Sequence, residues 1–274
     1  RSRSKTIGVL IPSFRNQIFA DVLAGIESVT SAHQYQTLIA NYEYDPQREE
    51  REVLNLLSYN IDGLILTGKQ HSDRMVQYVR ASGIPVAELM DFGGQQLDIQ
   101  VGFDNEKAAW DMTNAFLESG KRAIAFFGSM DDPRDLSRFH GTELALADHG
   151  LKPYHMAPRT ISSVALGRQM FLQMQQVRPD IDAIFCTNDD LAVGVLLECQ
   201  AQGKTVPQEM AIAGFHGLEI GRARLQKIAS VITPRYEIGK TASEILIARL
   251  AGKDAPDSVN LAYQIYYGDR KSVV

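Results

Sequence analysis

Cysteine and tryptophan are the scarcest residues of this chain, two and one in 274. So few cysteines exclude a disulfide scaffold; Cys186, on a strand-like stretch, and Cys199, on a helix-like one, read as small buried hydrophobes, with a disulfide between them left open. Long apolar runs are missing too: nothing approaches the roughly 18 residues that a membrane-spanning helix needs, and no N-terminal signal segment is visible. There is no excess of positive charge. The formal net charge is -5 and the pI about 5.7, so the surface as a whole does not attract nucleic acid, and Arg1, Arg3 and Lys5 are too few to grip it. Enzyme signatures are equally thin. No G-x-G-x-x-G follows a strand, no phosphate-cradling Walker loop occurs, and no G-x-S-x-G elbow is present. Gly93 and Gly94 are most simply a turn. His33, His71, His140, His149, His155 and His216 never pair at metal-ligand spacing. The expectation is a protein that is not an enzyme and holds neither metal nor cofactor.

What is present is a regular alternation of apolar strands and helices. With 45% hydrophobic and 22% charged residues, the chain has the composition of a soluble globular protein, long enough for one large domain or two ordinary ones. Strand-like runs at 6–12, 36–42, 63–67 and 85–90 are separated by helical periodicity at 16–33, 45–59 and 72–82. Asp45 followed by Pro46 is an N-cap with proline at the first helical position. Around 98–105 the pattern restarts: helices at 105–120, 133–150, 164–177 and 189–202 alternate with strands at 123–128, 153–157, 183–187 and 210–215. A strand at 228–232, a strongly amphipathic helix at 235–251 and an edge strand at 261–267 close the chain. Continuous apolar strands between helices predict α/β architecture with parallel sheets covered on both faces and right-handed crossovers. About ten strands in two similar series predict two Rossmann-like lobes. With no low-complexity linker between them, the chain is expected to cross between lobes near 103–105, 233–235 and 260–263. One lobe then comprises 5–103 with 235–260 and the other 104–233 with 262–274.

In open parallel sheets, ligands bind beyond the carboxyl ends of the strands, and polar clusters stand there in this sequence. Ser13, Arg15 and Asn16 follow the first strand, where the free N–H groups of the next helix also point; Ser13 or Asn16 either caps that helix, meets a ligand, or does both. Phe19, one turn on, is either a core residue or a stacking platform. Asn188, Asp189 and Asp190 follow the strand ending at Thr187, where Asn188 or Asp189 caps the helix, and an asparagine supplies both donor and acceptor to a hydroxyl. His216 ends another strand and reads equally as structural or ligand-binding. Arg134 and Arg138, four apart in the segment 131–138, are either solvated surface or a guanidinium clamp for a carboxylate.

These residues carry a resemblance. IGVLIPSFRNQIF at 7–19, DGLIL at 62–66, GIPV at 83–86, VGFDN at 101–105, AIFCTNDDLAVG at 183–194, VPQEMAIAGF at 206–215 and SVITPRYEIG at 230–239 occur in order along nearly the whole chain. They resemble the ligand-binding core of the lactose/galactose repressor family of bacterial transcription regulators. LAGIESV, NIDGLIL, AELMD, CTNDDLAVG, AIAGFHG and SVITPR look like the branch that regulates gluconate and L-idonate use. The resemblance implies a fold of two α/β lobes of the periplasmic-binding-protein type I, with the effector in the interlobe cleft, and a cytoplasmic homodimer with no membrane partner. It further implies a helix-turn-helix headpiece ahead of this core, residue 1 falling where the core begins, so that the stretch in hand binds effector and dimerises but reaches operator DNA only through that headpiece.

Carried over position by position, Asn16 and Phe19 match pocket-lining residues, Arg138 an arginine that reaches ligand, Asn188 the asparagine of an AND-like motif, and Asp104 a residue at the first lobe crossing. His216 departs from the pattern. Many relatives that bind neutral sugars have an acidic residue there; a histidine can donate and can carry charge near neutral pH, which fits an anionic sugar acid better than a carboxylate would. Thr233 stands where many relatives have glutamine. The expected mechanism is repression controlled by lobe closure around a sugar acid such as gluconate, idonate or ketogluconate. A periplasmic sugar-binding protein of a transport system is the alternative on the same fold, and a Rossmann-type enzyme the third reading.

Overall fold

The computed structural model describes residues 4–129, 132–223 and 228–268; Arg1, Arg3 and residue 131 lie outside them. In chain order the elements begin β1 (Thr6–Ile11), α1 (Ile18–Thr30), β2 (Gln36–Asn41), α2 (Pro46–Ser58), β3 (Gly63–Thr67), α3 (Asp73–Ser82), β4 (Val86–Leu89) and β5 (Ile99–Gly102). They continue with α4 (Asn105–Glu118), β6 (Ile124–Phe127), α5 (Pro133–Ala147), β7 (Tyr154–Met156), α6 (Val164–Val177), β8 (Ala183–Cys186) and α7 (Asp189–Ala201). The last are β9 (Ala211–His216), α8 (Glu219–Arg222), β10 (Ala229–Ile232), α9 (Arg235–Leu250), β11 (Ser258–Asn260) and β12 (Gln264–Tyr266).

The chain forms two compact units, Arg1–Asp104 with Pro234–Ala262 and Asn105–Thr233 with Tyr263–Val274. The first unit holds a parallel sheet in the order β11-β5-β4-β3-β1-β2. Its central strands are apolar without alternation because helices cover both faces. Ile7, Val9, Leu10 and Ile11 of β1 are each at most 1% exposed, and burying such a side chain contributes ~1.5–3 kcal/mol. The second unit repeats the plan as β12-β10-β9-β8-β6-β7, parallel except for β12, which runs antiparallel to β10. In both sheets the strand order reverses beside the first strand of the unit, β1 or β6. The carboxyl ends of β1 and β3, and of β6 and β8, therefore flank the crevice where open α/β sheets take ligands.

Local chemistry sets the helix starts. Asp45, Ser72, Asp132, Ser163 and Asn188 are each extended residues whose side-chain oxygens accept an N–H of the first turn, at 2.9–3.1 Å. Pro46 and Pro133 occupy first-turn positions, where no N–H is needed.

The structure differs from the sequence reading at four places. Ile99–Gly102 is a full strand, β5, although its pattern IQVG is too short to register beyond a restart of the pattern. The single edge strand expected at 261–267 is two: β11 pairs with β5 in the first unit and β12 with β10 in the second. The helix expected from residue 16 begins at Ile18, because the Asn16 side chain accepts the Ile18 N–H at 3.2 Å and holds a turn instead. Finally, α9 buries a wider arc than a single amphipathic stripe, while Glu237 and Glu244 stay exposed. Arg235, Ile238, Gly239, Ala242, Ser243, Ile245, Leu246 and Ile247 are all buried, since α9 packs against α1 on one side and against β3, β4 and β5 on another. Its approach to α1 is close enough to need glycine on both helices. A Cβ on Gly25 would lie 2.1 Å from the Tyr236 carbonyl oxygen, and one on Gly239 would lie 2.1 Å from that of Val22.

Candidate functional site

In the second unit a buried polar cluster gathers at the carboxyl ends of β6, β8, β9 and β10. Its centre is Arg138 of α5, 4% exposed. The guanidinium donates from Nε to Asn105 Oδ1 at 2.9 Å and from Nη1 to both the carbonyl and the hydroxyl oxygen of Thr187 at 3.1 Å, and its Cζ lies 3.9 Å from the centroid of the Phe215 ring. Nη1 is 3.5 Å from Asp135 Oδ1. Asp135 also receives the Thr187 hydroxyl proton and the Ser129 N–H. Burial pushes the Asp135 carboxyl above the usual carboxylate range; the nearby Arg138 charge opposes this, and Asp132 adds to it.

Arg134 is engaged differently. Its Nε and Nη2 form a fork onto the two oxygens of Asp132 at 3.0 and 2.7 Å, while Asp132 also caps α5. Burial alone would raise the Asp132 carboxyl, but the charge and hydrogen bonds of Arg134 outweigh it and hold it below the usual range. The carboxylate clamp read for Arg134 is thus satisfied by the protein's own carboxylate, at bidentate geometry. Arg134 holds Asp132 at the start of α5, and Arg138 is the cation at the strand ends.

Asn188 is 3% exposed, accepts the Leu191 N–H at 3.1 Å and donates to Ser162 Oγ. Capping is therefore one of its roles. His216, at the end of β9, is 2% exposed and adopts φ +92°, outside the region comfortable for a residue with a Cβ. Its Nδ1 and the hydroxyl of Thr233 are 3.0 Å apart, and its ring meets Phe215 edge-on at 5.1 Å. Backbone held in a sparsely populated region at a strand end marks a place where position outranks stability. Asp189, unassigned by the sequence except as a cap, accepts Ser230 Oγ at 2.8 Å and the Leu218 N–H at 2.5 Å, so it fixes the turn that follows His216.

In the first unit Ser13, Arg15 and Asn16 stand together after β1. Ser13 is buried and accepts the Arg15 N–H at 3.1 Å; Arg15 is exposed. Asn16 donates to Tyr44 Oη at 3.4 Å. Phe19 is 3% exposed within the buried face of α1, which makes it a core residue of that unit. Asp104, half-buried, is the last residue of the unit before the chain crosses.

Sequence reasoning missed two groups here. Phe14 follows β1 with 63% of its surface exposed, an aromatic at a strand end that position alone would have flagged. The other group is ionic: His71 lies between Glu49 of α2 and Glu88 of β4, 2.9 Å from each, and the three side chains are 2%, 5% and 1% exposed. Burial alone would lower the imidazole pKa, but hydrogen bonds and charges from both glutamates outweigh it and raise it to about 9. A glutamate in the middle of a buried strand, AEL at 87–89, was the legible signal. Glu49 was hidden in a charged run that reads as solvated. Among the described residues no group of histidine, cysteine, aspartate and glutamate is arranged to hold a metal ion.

Two sheets of one plan, each ending in a polar cluster at its switch point, define a small-molecule binding protein of the α/β class. Over residues 4–269 the chain matches the family described as periplasmic binding proteins and sugar binding domain of LacI family, and it belongs to that family. It is 53% identical to the HTH-type transcriptional regulator IdnR of Escherichia coli K12, over 98% of this chain and 81% of the relative. It is 47% identical to GntR of the same strain, over 97% and 80%. A solved structure, the transcription regulator GntR from Chromobacterium violaceum, matches with a TM-score of 0.94 at 34% identity, covering 97% of this chain and 99% of that one. These relatives are transcription regulators. The chain is an effector-binding domain of that class, and the transport reading is set aside.

Proposed function

We propose that the effector is a sugar acid, recognised through its carboxylate by Arg138, and that its binding alters operator occupancy. The observation that carries this reading is Arg138 itself: a buried guanidinium at the ends of β6 and β8, positioned by Asn105 and Thr187 and backed by the Phe215 ring. A fixed, planar, weakly hydrated cation suits a carboxylate better than a neutral hydroxyl. His216 and Asn188 add donors for the polyol chain, and the absence of a carboxylate at position 216 removes a repulsive neighbour. Asp135 and Asp132 belong to the support of the cluster, as does Arg134. Ser13, Arg15, Asn16 and Asp104 are the corresponding strand-end groups of the first unit, and Phe19 backs them from the core.

Binding regulates by favouring one arrangement of the two units, and it does so only as far as the acid's affinity differs between arrangements. The domain works as a cytoplasmic homodimer, without metal or cofactor, and reaches operator DNA through a helix-turn-helix segment like the one in the names of its relatives. Isothermal titration with gluconate, L-idonate, 5-ketogluconate and galactose tests the reading. A sugar acid binds saturably and galactose does not; Arg138→Ala weakens the acid by ~2–5 kcal/mol, more than tenfold in affinity, as expected when one partner of a buried charge pair is removed. His216→Asp weakens it as well. Galactose binding without acid binding refutes the assignment of the effector while leaving the family membership untouched.

A further inference from the structure

Resting on the reading of Arg138 as the carboxylate ligand, we infer that docking of the acid is coupled to uptake of one proton by the Asp135 carboxyl, which makes effector affinity pH-dependent. At the start of α5 the cluster brings together two guanidiniums, Arg134 and Arg138, and two carboxylates, Asp132 and Asp135. An effector carboxylate adds a third negative charge beside Arg138. One of the three anions is then poorly compensated in a site that water barely reaches, and the group that is easiest to neutralise takes a proton.

The geometry singles out Asp135. Asp132 holds a bidentate fork from Arg134 at 2.7 and 3.0 Å and stays ionised. Asp135 has no fork. Its contact with Arg138 is 3.5 Å, its side chain is 13% exposed, and the Nη1 that faces it is shared with two Thr187 oxygens. Among the described residues, the charged groups that face it are Arg138 of its own helix and Asp132, the cap of that helix. From β6 and β8 it receives the Ser129 N–H and the Thr187 hydroxyl, neither of which titrates near neutral pH, and its Oδ2 lies against Gly128. Drawing Arg138 toward an incoming carboxylate weakens the cation that, among the described residues, opposes the burial of Asp135. Thr187 Oγ, which accepts from Arg138 and donates to Asp135, links the two events.

The proton comes from solvent, so log K for the acid rises as pH falls between the Asp135 pKa of the free form and its higher value in the complex, by at most one unit per pH unit. A neutral sugar shows no such slope. Titrating gluconate and L-idonate calorimetrically in buffers of different ionisation enthalpy, from pH 4 to 8, counts the protons directly. The expected result is uptake of up to one proton per site, lost in Asp135→Asn, whose affinity is flat with pH. On the unsubstituted protein, an infrared difference spectrum shows a new protonated-carboxyl band on adding the acid, which a titrating histidine would not produce, so the test holds even where the variant fails to fold. Binding with no proton uptake, or uptake that persists in Asp135→Asn, overturns this inference and leaves the effector assignment standing. No binding of any acid overturns both.

Discussion

Removing the imidazole of His71 is expected to destabilise the first unit more than any single hydrogen bond would. His71→Gln leaves Glu49 and Glu88, 5% and 1% exposed, facing each other without the cation between them. Breaking a buried ion pair from one side costs about 3–5 kcal/mol. The titration of His71 gives a second, independent route to the magnitude. Raising its pKa from 6.5 to about 9 on folding corresponds to ~3 kcal/mol at about 1.4 kcal/mol per tenfold. The sign follows from the folded value lying above the unfolded one. The contribution is complete below pH 6.5, declines as pH rises, and is lost once pH passes through about 9. Hydrogen exchange resolved to peptides of β3 and β4, corrected for the intrinsic pH dependence of exchange, measures this locally; β8 in the second unit serves as the control. The unsubstituted protein should lose protection in β3 and β4 between neutral pH and about pH 10, and His71→Gln should start low and stay flat. Parallel pH profiles for the two proteins would show that His71 is neutral in the folded state and that the triad is only hydrogen-bonded.

Gly239→Ala should lower stability by ~2–3 kcal/mol, because the new Cβ meets the Val22 carbonyl oxygen at 2.1 Å and two helix backbones must separate; thermal unfolding followed by circular dichroism reads the drop, and an unchanged midpoint would mean that α1 and α9 are not so closely apposed. Cys186 and Cys199 are both free and buried, their thiols pushed up by burial, that of Cys199 to about 12. A thiol reagent should therefore label neither in the folded protein at pH 8 and both in denaturant, whereas fast labelling of the native protein would refute the burial.

Legibility in the sequence followed the range of the interactions. The strands with uninterrupted apolar runs, β1, β3 and β8, were readable because burial on both faces leaves no room for polar residues. The caps at Asp45 and Asn188 were readable because a cap is a contact between near neighbours. The α/β class followed from alternation alone. Elements decided by distant partners were not readable. Ile99–Gly102 becomes a strand because β4 and β11 flank it, and α9 buries a wide arc because it packs against both α1 and a sheet. At the site, strand-end position drew attention to Asn188 and His216, and helical spacing and the family resemblance to Arg138. These signals could not show that Asp132 occupies Arg134 or that Asp135 shares Thr187 with Arg138, since those pairings depend on where α5 lies over β8. The His71 triad joins residues 49, 71 and 88, and nothing in their spacing announces it.

The three crossings between units also set an order of events during synthesis. The first unit is interrupted after Asp104 and resumes only at Pro234. Until α9 has been made, α1 exposes the surface that carries Gly25 and Val22, and β5 lacks its β11 neighbour. At the usual 5–20 residues per second, that wait is on the order of ten seconds. In that time most of the second unit is already available to fold, so the part of the chain translated first is completed after most of its companion. Neither unit exists as a contiguous gene segment. A fragment ending at residue 104 would carry the strand-end residues of the first unit without the helix that closes its sheet, and it is the species most in need of a chaperone.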